Sequence, residues 1–188
     1  MKTLQLDKSW TIFLDRDGVL NKKLDNDYVR SWATFQVLPG VLEALKKLSA
    51  KAGRIVVVTN QQGIGKGLYT TADLQEIHSR FLKEVQEASG RIDHFYFCPN
   101  LASENNPCRK PGIGMALEAK QDFPEIDFSK SVIVGDSHSD MEFGRDCGMV
   151  TVFLSQKEPE SHKKSLIDLQ FPDLLTFTNF VLNTPSKG

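Results

Sequence analysis

Two aspartates separated by a single residue, Asp15 and Asp17, follow a short apolar run at residues 11–14 and precede Gly18. Two carboxylates this close repel each other unless a cation offsets their charge, and Mg²⁺ prefers hard oxygen ligands of this kind. With such an ion bound, Asp15 becomes a candidate nucleophile toward phosphorus that forms an aspartyl-phosphate, and Asp17 a candidate proton donor and acceptor. The same Asp-x-Asp-Gly pattern is also ordinary turn chemistry, so both interpretations stay open on this motif alone.

Hydrophobic patterning indicates the elements that must position these aspartates. The continuous apolar run predicts a buried parallel strand that ends at Asp15. We predict a helix over 39–53, followed by a buried strand at 55–58 that ends in Thr59 and Asn60. Strand, helix and strand in this order predict a right-handed βαβ unit, in which both polar strand ends emerge at one edge of a parallel sheet.

The remaining segments continue an α/β pattern. Further strands are predicted at 92–97, 131–134 and 150–154, and further helices at about 71–88 (capped by Thr71), at 113–121, from Ser139 or Asp140 toward Cys147, and around Leu174, Phe177 and Val181. Loops are predicted at 21–38, where residues 21–28 could touch a substrate, and at 98–111. A Walker A phosphate loop is excluded at 61–67, because Asn60 stands where it needs glycine and Gly67 where it needs Ser or Thr.

Composition is that of an ordinary soluble globular protein, with 188 residues, 40% hydrophobic and 25% charged. We expect a single domain over 1–188, with a motif core at about 10–155 and a closing segment at 156–188. A net charge of −1 favours neither a nucleic-acid nor a membrane partner. Three cysteines do not make an even disulfide framework, and neither a signal-peptide core nor a spanning apolar run is evident, so we expect a cytoplasmic protein.

Polar groups at the ends of successive elements match what phosphoryl transfer requires. That reaction needs an in-line nucleophile, charge neutralisation on the equatorial oxygens and a proton for the leaving oxygen. The Thr59 hydroxyl and the Lys110 ammonium can hold the phosphoryl oxygens. Asp136 can complete a metal site with Asp15, while Asp140 can orient Lys110 or lie in the metal's outer shell.

Four segments in order resemble the motifs of the haloacid-dehalogenase-like phosphatases: DRDGVLN (15–21), VVVTNQQGIG (56–65), CRKPGIGM (108–115) and VGDSHSDM (134–141). More narrowly, they look like the branch of the heptose bisphosphate and histidinol-phosphate phosphatases. The resemblance implies an α/β fold, a Rossmann-like three-layer sandwich with a central parallel sheet and a minimal or absent cap domain. It also implies that Mg²⁺ is held by the carboxylates of Asp15 and Asp136 and by the backbone carbonyl of Asp17.

The resemblance extends to the substrate. It implies that Arg109 contacts a second phosphate or a carboxylate-like group, that Asn60 lines the phosphate pocket, and that Arg16 belongs to the phosphate-binding residues. A surface salt bridge is the alternative for Arg109. The expected partner of this presumed monomer is a small phosphorylated sugar, foremost heptose 1,7-bisphosphate at its 7-phosphate. Histidinol phosphate or another small phosphomonoester is the alternative substrate, and a non-catalytic phosphate-binding protein is the alternative of another class.

The chain departs from the branch at its zinc loop. Members commonly carry Cys-x-His and Cys-x-Cys there, whereas this chain reads Cys98-Pro99-Asn100 and Asn106-Pro107-Cys108. Asparagine is a poor zinc ligand and structural zinc takes four N or S donors. We therefore predict no structural zinc, with Cys98 and Cys108 as leftover thiols of an incomplete site.

A second departure follows the last motif aspartate. The heptose enzymes tend to carry a lysine directly after it, whereas Ser137 and His138 follow Asp136 here. The substitution removes a positive charge near the expected phosphate. This departure counts against a heptose substrate.

Overall fold

The strand that ends at Asp15 is the central one of a parallel sheet. The computed structural model describes residues 4–158 and 161–183, and its strands are Thr11–Leu14 (β1), Arg54–Asn60 (β2), His94–Cys98 (β3), Ser131–Gly135 (β4), Val150–Leu154 (β5) and Leu169–Phe171 (β6). They pair in the order β3-β2-β1-β4-β5-β6, and all neighbours are parallel. The predicted Rossmann-like sheet is confirmed, while β6 is a strand that the sequence pattern did not predict.

Helices connect the strands. They are Val41–Lys51 (α1), Gln62–Gly65 (α2), Thr71–Glu87 (α3), Gly114–Asp122 (α4), His138–Cys147 (α5) and Leu174–Asn183 (α6), with short 3-10 helices at Trp32–Thr34, Ala102–Glu104, Phe128–Lys130 and Ser161–Leu166. Of these, α2 lies inside segment 61–67, where we excluded a Walker A loop and predicted no helix. No helix among the described residues is both long and apolar enough to cross a bilayer.

Helix α3 begins at Thr71 as predicted but has a different cap, and α1, α4 and α5 begin within two residues of their predicted starts. Thr70, not Thr71, caps α3, because its hydroxyl accepts a hydrogen bond from Asp73 N at 3.2 Å while the Asp73 carboxylate accepts one from Thr70 N at 2.7 Å. This reciprocal capping box fixes the helix start three residues before the acidic side chain. Helix α5 begins at His138, one residue before the earlier of the two predicted starts.

Side chains alternate between the two faces of the sheet, and each face carries a core. Ile12 and Leu14 of β1 pack into one hydrophobic cluster with residues of α1, α3 and α6, whereas Phe13 packs into a second cluster with residues of α4 and α5. These side chains are fully buried. Helix layers therefore cover both faces, as the predicted three-layer sandwich requires.

The register of the sheet brings the polar strand ends together. Leu14 lies opposite Val57 of β2 and Val134 of β4, and Asp15 N donates to Val134 O at 2.9 Å. The residues just past β1, β2 and β4 therefore meet at the carboxyl edge of the sheet. In open α/β sheets, ligands bind at this edge, where the strand order reverses.

Candidate active site

Lys110 is fixed between two carboxylates at this edge. Its Nζ lies 2.8 Å from Asp15 Oδ1 and 2.6 Å from Asp140 Oδ1, and it donates to the carbonyl oxygen of Val58 at 2.7 Å. These contacts use all three hydrogens of an ammonium group. Burial works against the charge of Lys110, but Asp140 and Asp15 outweigh it and hold the pKa of this lysine above its usual range.

Neighbouring side chains hold this ion-pair group in place. The Asn60 amide clamps the main chain of Lys110, accepting from Lys110 N at 3.0 Å and donating to Lys110 O at 3.1 Å. On the other side, Asp140 Oδ2 accepts from Ser137 N at 3.0 Å as part of the cap of α5. A Cβ at Gly135 would lie 2.3 Å from the Asp140 Cβ, so the chain needs a glycine where the aspartate approaches β4.

Three carboxylates converge on one point. Oxygen atoms of Asp15, Asp136 and Asp140 lie within 4.8 Å of one another. Burial raises the pKa of Asp15 to about 7, against the charge of Lys110 and with that of the other two carboxylates. Burial also raises the pKa of Asp136, against the charge of Lys23. The group thus carries more negative charge than its lysines neutralise.

These donors fit the magnesium ion that the motifs imply. All are hard carboxylate oxygens, which suit Mg²⁺ rather than a softer metal. Gly18 is where the Asp17–Gly18 backbone approaches Asp136: a Cβ on Gly18 would lie 2.1 Å from Asp136 Oδ2, and its φ of +95° favours glycine. The glycine of the Asp-x-Asp-Gly motif therefore keeps this corner of the site open.

Asp17 lies in a complete hydrogen-bond network of its own. Both its oxygens accept from Arg16 Nη2 at 2.9 Å, Oδ1 also accepts from Asn21 Nδ2 at 2.9 Å, and Oδ2 from Gln61 Nε2 at 2.9 Å. Burial disfavours the charge of Asp17, but the Arg16 guanidinium and these amides outweigh it and lower the pKa of the carboxyl. The structure thus holds Asp17 as a carboxylate.

Arg16 lies behind Asp17 and is fully buried. Its Nη1 lies 3.4 Å from His78 Nε2, and since a guanidinium only donates, the imidazole nitrogen is the acceptor. Burial and the charge of Arg16 lower the pKa of His78 to about 3, so this histidine is neutral. Arg16 does not line the cavity at Asp15, and its polar side-chain contacts among the described residues are with Asp17 and His78. Its predicted contact with phosphate stays a prediction.

A cavity of about 210 Å³ opens over Asp15. Its lining unites most of the predicted residues and adds others: Asp15, Asp17, Lys23, Thr59, Asn60, Arg109, Lys110, Ser137 and Ser139. The Thr59 hydroxyl oxygen accepts from Gln61 Nε2 at 2.8 Å, which leaves the hydroxyl hydrogen for a ligand. Arg109 Nη1 is buried and has no hydrogen-bond partner among the described residues. Buried polar groups are rarely left unpaired, so this nitrogen marks a place for an anion.

Sequence reasoning missed several residues of the site. Asn21 and Gln61 hold Asp17, His78 backs Arg16, and Lys23 reaches Asp136 with Nζ 2.9 Å from Oδ2 and 3.1 Å from Oδ1. The signals available were the motif segments 15–21 and 56–65, which contain Asn21 and Gln61, and the predicted loop next to the first motif, which contains Lys23. His78 looks like an ordinary helix residue in the sequence.

Cys98 and Cys108 form a disulfide, so the prediction of leftover thiols is wrong. Their Cα atoms lie 5.5 Å apart, an ordinary spacing for a disulfide. The physical reason is a tight turn before the second cysteine, where Cys108 N donates to Asn106 Oδ1 at 2.9 Å and the chain returns to the end of β3. The bond ties β3 to the residue before Arg109. The absence of structural zinc stays a prediction.

The chain matches one protein-family model and is similar in sequence to named proteins. The model of the family described as "Polynucleotide kinase 3 phosphatase" matches residues 5–178. A protein of Mycobacterium bovis, named D-glycero-alpha-D-manno-heptose-1,7-bisphosphate 7-phosphatase, is 44% identical over 137 residues, which are 73% of this chain and 72% of that protein. A protein of the same name from Campylobacter jejuni subsp. jejuni is 35% identical over 173 residues, 92% of this chain and 96% of that protein.

A solved structure agrees with these relatives. The D,D-heptose 1,7-bisphosphate phosphatase from B. bronchiseptica, complexed with magnesium and phosphate, superposes with a TM-score of 0.82. Its sequence identity is 28%, and the match covers 94% of this chain and 99% of that one. The likeness therefore spans the whole fold described above.

Proposed function

The chain belongs to the polynucleotide kinase 3 phosphatase family of haloacid-dehalogenase-like phosphatases, and on that premise we propose that it removes the 7-phosphate of D-glycero-D-manno-heptose 1,7-bisphosphate. It is a phosphoric monoester hydrolase, and the resemblance drawn from the four motifs is confirmed. The observation that carries the proposal is the group of Asp15, Lys110, Asp136 and Asp140, which meets beside an unpaired Arg109 guanidinium.

Asp15 is the proposed nucleophile. Lys110 binds its Oδ1, so we assign the attack on phosphorus to Oδ2, which that ion pair leaves free. The attack forms the aspartyl-phosphate as the bond from phosphorus to the leaving alkoxide oxygen breaks. Lys110 stabilises the carboxylate and fixes its orientation, and Asp140 keeps the ammonium in place.

Mg²⁺ would be held by Asp15, Asp136 and the backbone carbonyl of Asp17, and it would neutralise charge on the phosphoryl group. Support comes from a relative's structure, which is described as complexed with magnesium and phosphate. Within this chain, burial raises the pKa of Asp15 and of Asp136, and a divalent cation beside these carboxyl groups would favour their charged forms.

Asp17 is the proposed proton carrier. It donates a proton to the leaving alkoxide and later accepts one from the water that attacks phosphorus and releases Asp15. The four hydrogen bonds to its carboxylate suit the second step. For the first step it needs a proton, and the negative phosphoryl group beside it favours the protonated form.

Arg109 and Thr59 are the proposed phosphate-binding residues. The unpaired Arg109 Nη1 suits the second phosphate of a bisphosphate, because a guanidinium offers a two-pronged donor to oxyanions. The Thr59 hydroxyl, buried in the lining of the cavity, suits the phosphoryl group that is transferred. A monophosphate can use only one of these two contacts.

We also propose a cytoplasmic location. Sugar phosphates are charged and do not cross bilayers unaided, so an enzyme that hydrolyses them acts in the compartment where they are made. The Cys98–Cys108 disulfide counts in the other direction, because disulfides are rare in cytosolic proteins.

A panel of phosphate esters tests the function. It contains both anomers of heptose 1,7-bisphosphate, heptose 7-phosphate and histidinol phosphate, each with Mg²⁺ and with EDTA. We expect kcat/KM for one heptose bisphosphate anomer to exceed that for heptose 7-phosphate by about 10-fold or more, since a charged hydrogen bond contributes roughly 1.5–3 kcal/mol. EDTA should abolish turnover. The Asp15→Asn variant is the control: it should fold and be inactive, and normal hydrolysis by it would eliminate the mechanism.

A further inference from the structure

Lys23 connects the loop after the first motif to the carboxylate of Asp136. It comes from segment 21–38 and reaches Asp136, which lies 113 residues away in sequence, with its Nζ 2.9 and 3.1 Å from the two carboxylate oxygens. The Lys23 side chain is 52% exposed, and that of Asp136 is 17% exposed. The ion pair therefore lies at the mouth of the cavity and not inside the core.

The two lysines of the site are held in different ways. Lys110 is buried and has all three ammonium hydrogens engaged, so it has none to offer a ligand. Lys23 is held by the two oxygens of one carboxylate, on a segment that is mostly irregular. Such an exposed pair contributes little stability, so its partner can be exchanged at low cost.

Two different cations can bind the carboxylate oxygens of Asp136. It holds the Lys23 ammonium in this structure, and it is one of the three converging carboxylates whose oxygens fit a divalent cation. An ammonium and Mg²⁺ repel each other, so they share a carboxylate at least cost where each takes a different oxygen. Lys110 takes one oxygen of Asp15, whereas Lys23 holds both oxygens of Asp136, so a metal ion that takes either of those two weakens or breaks the contact with Lys23.

Once released, the Lys23 side chain has a place within the site. It lines the 210 Å³ cavity over Asp15 and also an adjoining cavity of about 130 Å³, between Asp17 and the Tyr28 region of the loop. From one backbone position the side chain therefore borders both spaces. In either cavity the ammonium would face an incoming phosphate.

We propose that Lys23 is an exchangeable counter-ion of the active site. It neutralises Asp136 while the divalent cation is absent, leaves Asp136 when that cation binds, and then binds a phosphate oxygen of the substrate. The phosphate-binding part rests on the proposed function; the exchange at Asp136 does not.

Magnesium titration by calorimetry, without substrate, tests the exchange. Lys23→Met keeps the length of the side chain and removes its charge. Because a competing exposed ion pair contributes up to about 1 kcal/mol, the variant should bind Mg²⁺ roughly two- to fivefold more tightly than the parent. Lys22→Met is the matched control, since it removes the same charge from the neighbouring exposed residue, for which the structure shows no ion pair. It should bind Mg²⁺ as the parent does.

Steady-state kinetics at saturating Mg²⁺ test the phosphate contact. Lys23→Met should raise KM for the bisphosphate about five- to tenfold, and by more than it lowers kcat, because the lost group binds substrate and does no chemistry. Lys23→Arg should keep KM within about twofold of the parent, since it keeps the charge.

Two outcomes overturn the proposal. One is a magnesium Kd for Lys23→Met equal to or weaker than that of Lys22→Met, and the other is a KM that does not rise. If the parent protein hydrolyses none of the phosphate esters, the proposed function fails. The calorimetric result needs no turnover, so it judges the exchange at Asp136 separately.

Discussion

Asp15 and Asp17 are two residues apart, yet the polar groups around them differ in kind. Asp17 accepts four hydrogen bonds from Arg16, Asn21 and Gln61, and its pKa lies below the usual range although burial opposes this. Asp15 has a single cationic partner, Lys110, and burial raises its pKa to about 7. Both oxygens of the Asp17 carboxylate accept hydrogen bonds without a ligand, whereas only Oδ1 of Asp15 has a side-chain donor among the described residues.

This difference separates the two roles that phosphoryl transfer needs. Carboxylates whose surroundings push their pKa values apart can take different parts in one reaction. Arg16 Nε and Asn21 Oδ1 are buried without a partner among the described residues, but neither residue lines the cavity over Asp15. The groups that a ligand in that cavity could satisfy lie on the Asp15 side: Asp136 with its raised pKa, the unpaired Arg109 Nη1 and the exposed ion pair of Lys23. A metal ion and a phosphate are the ligands that would satisfy them. On the other side, the hydrogen bonds from Arg16, Asn21 and Gln61 hold Asp17, the proposed proton carrier, in one orientation.

The largest expected effect comes from removing the cation on the Asp15 side. Lys110→Met leaves Asp15 and Asp140 as uncompensated buried charges, which costs about 3–5 kcal/mol in the free energy of unfolding. Activity should fall by about 10²-fold or more, because the nucleophile loses the cation that contacts it among the described residues. Urea denaturation and kcat measure the two effects.

A second substitution separates stability from catalysis at this position. The Lys110→Met, Asp140→Asn double variant removes one of the two stranded charges, so it should regain part of the lost stability. It should regain no activity, since Asp15 still lacks its cation. If Lys110→Met alone were as stable as the parent, the charges of Asp15 and Asp140 would not depend on Lys110. The contrast drawn here between Asp15 and Asp17 would then fail.

The elements of the fold could be predicted where the pattern was long enough. Continuous apolar runs followed by polar residues indicated β1, β2 and β4, and an apolar stripe at helical spacing indicated α3. Strand β6 has three residues and α2 has four, which is too short to show any period. The cap of α3 was misplaced by one residue because two threonines stand side by side before Asp73.

The chain order of the motifs predicted which strand ends meet, because parallel strands share one carboxyl edge. It could not predict contacts that depend on the reach of single side chains. Lys23 meets Asp136 across 113 residues, and Gln61 meets Asp17 across 44. The Cys98–Cys108 disulfide was missed for the same reason: an odd number of cysteines says nothing about how a loop brings two of them together.

A smaller effect concerns His78, which contacts Arg16 behind Asp17. Burial, with the charge of Arg16, lowers the pKa of His78 from 6.5 to about 3, so between these pH values the unfolded chain binds a proton that the folded protein does not. Stability due to this group is therefore complete above pH 6.5 and is lost as the pH falls toward 3. His78→Gln should lose about 2 kcal/mol less than the parent between pH 7.5 and pH 5.

Urea denaturation at the two pH values measures this difference. His94→Gln removes an exposed histidine and serves as the control. An equal loss of stability in His78→Gln and in the parent would show that the folded protein accepts a charge at His78. A neutral His78 that accepts a hydrogen bond from Arg16 would then not explain why Arg16 is fixed behind Asp17.

The smallest effect tests the contact of Asp17 with Gln61. Gln61→Leu removes the donor to Asp17 Oδ2, so the carboxylate loses one of its hydrogen bonds and its pKa rises. Because Asp17 must be ionised to accept a proton from water, the acid limb of the pH profile of kcat should move to higher pH. A single neutral hydrogen bond is worth only about 0.5–1.5 kcal/mol, which keeps the shift modest. Gln62→Leu, for which the structure shows no side-chain contact with Asp17, should leave the limb in place; a limb unmoved in both variants would mean that Asp17 is not the base.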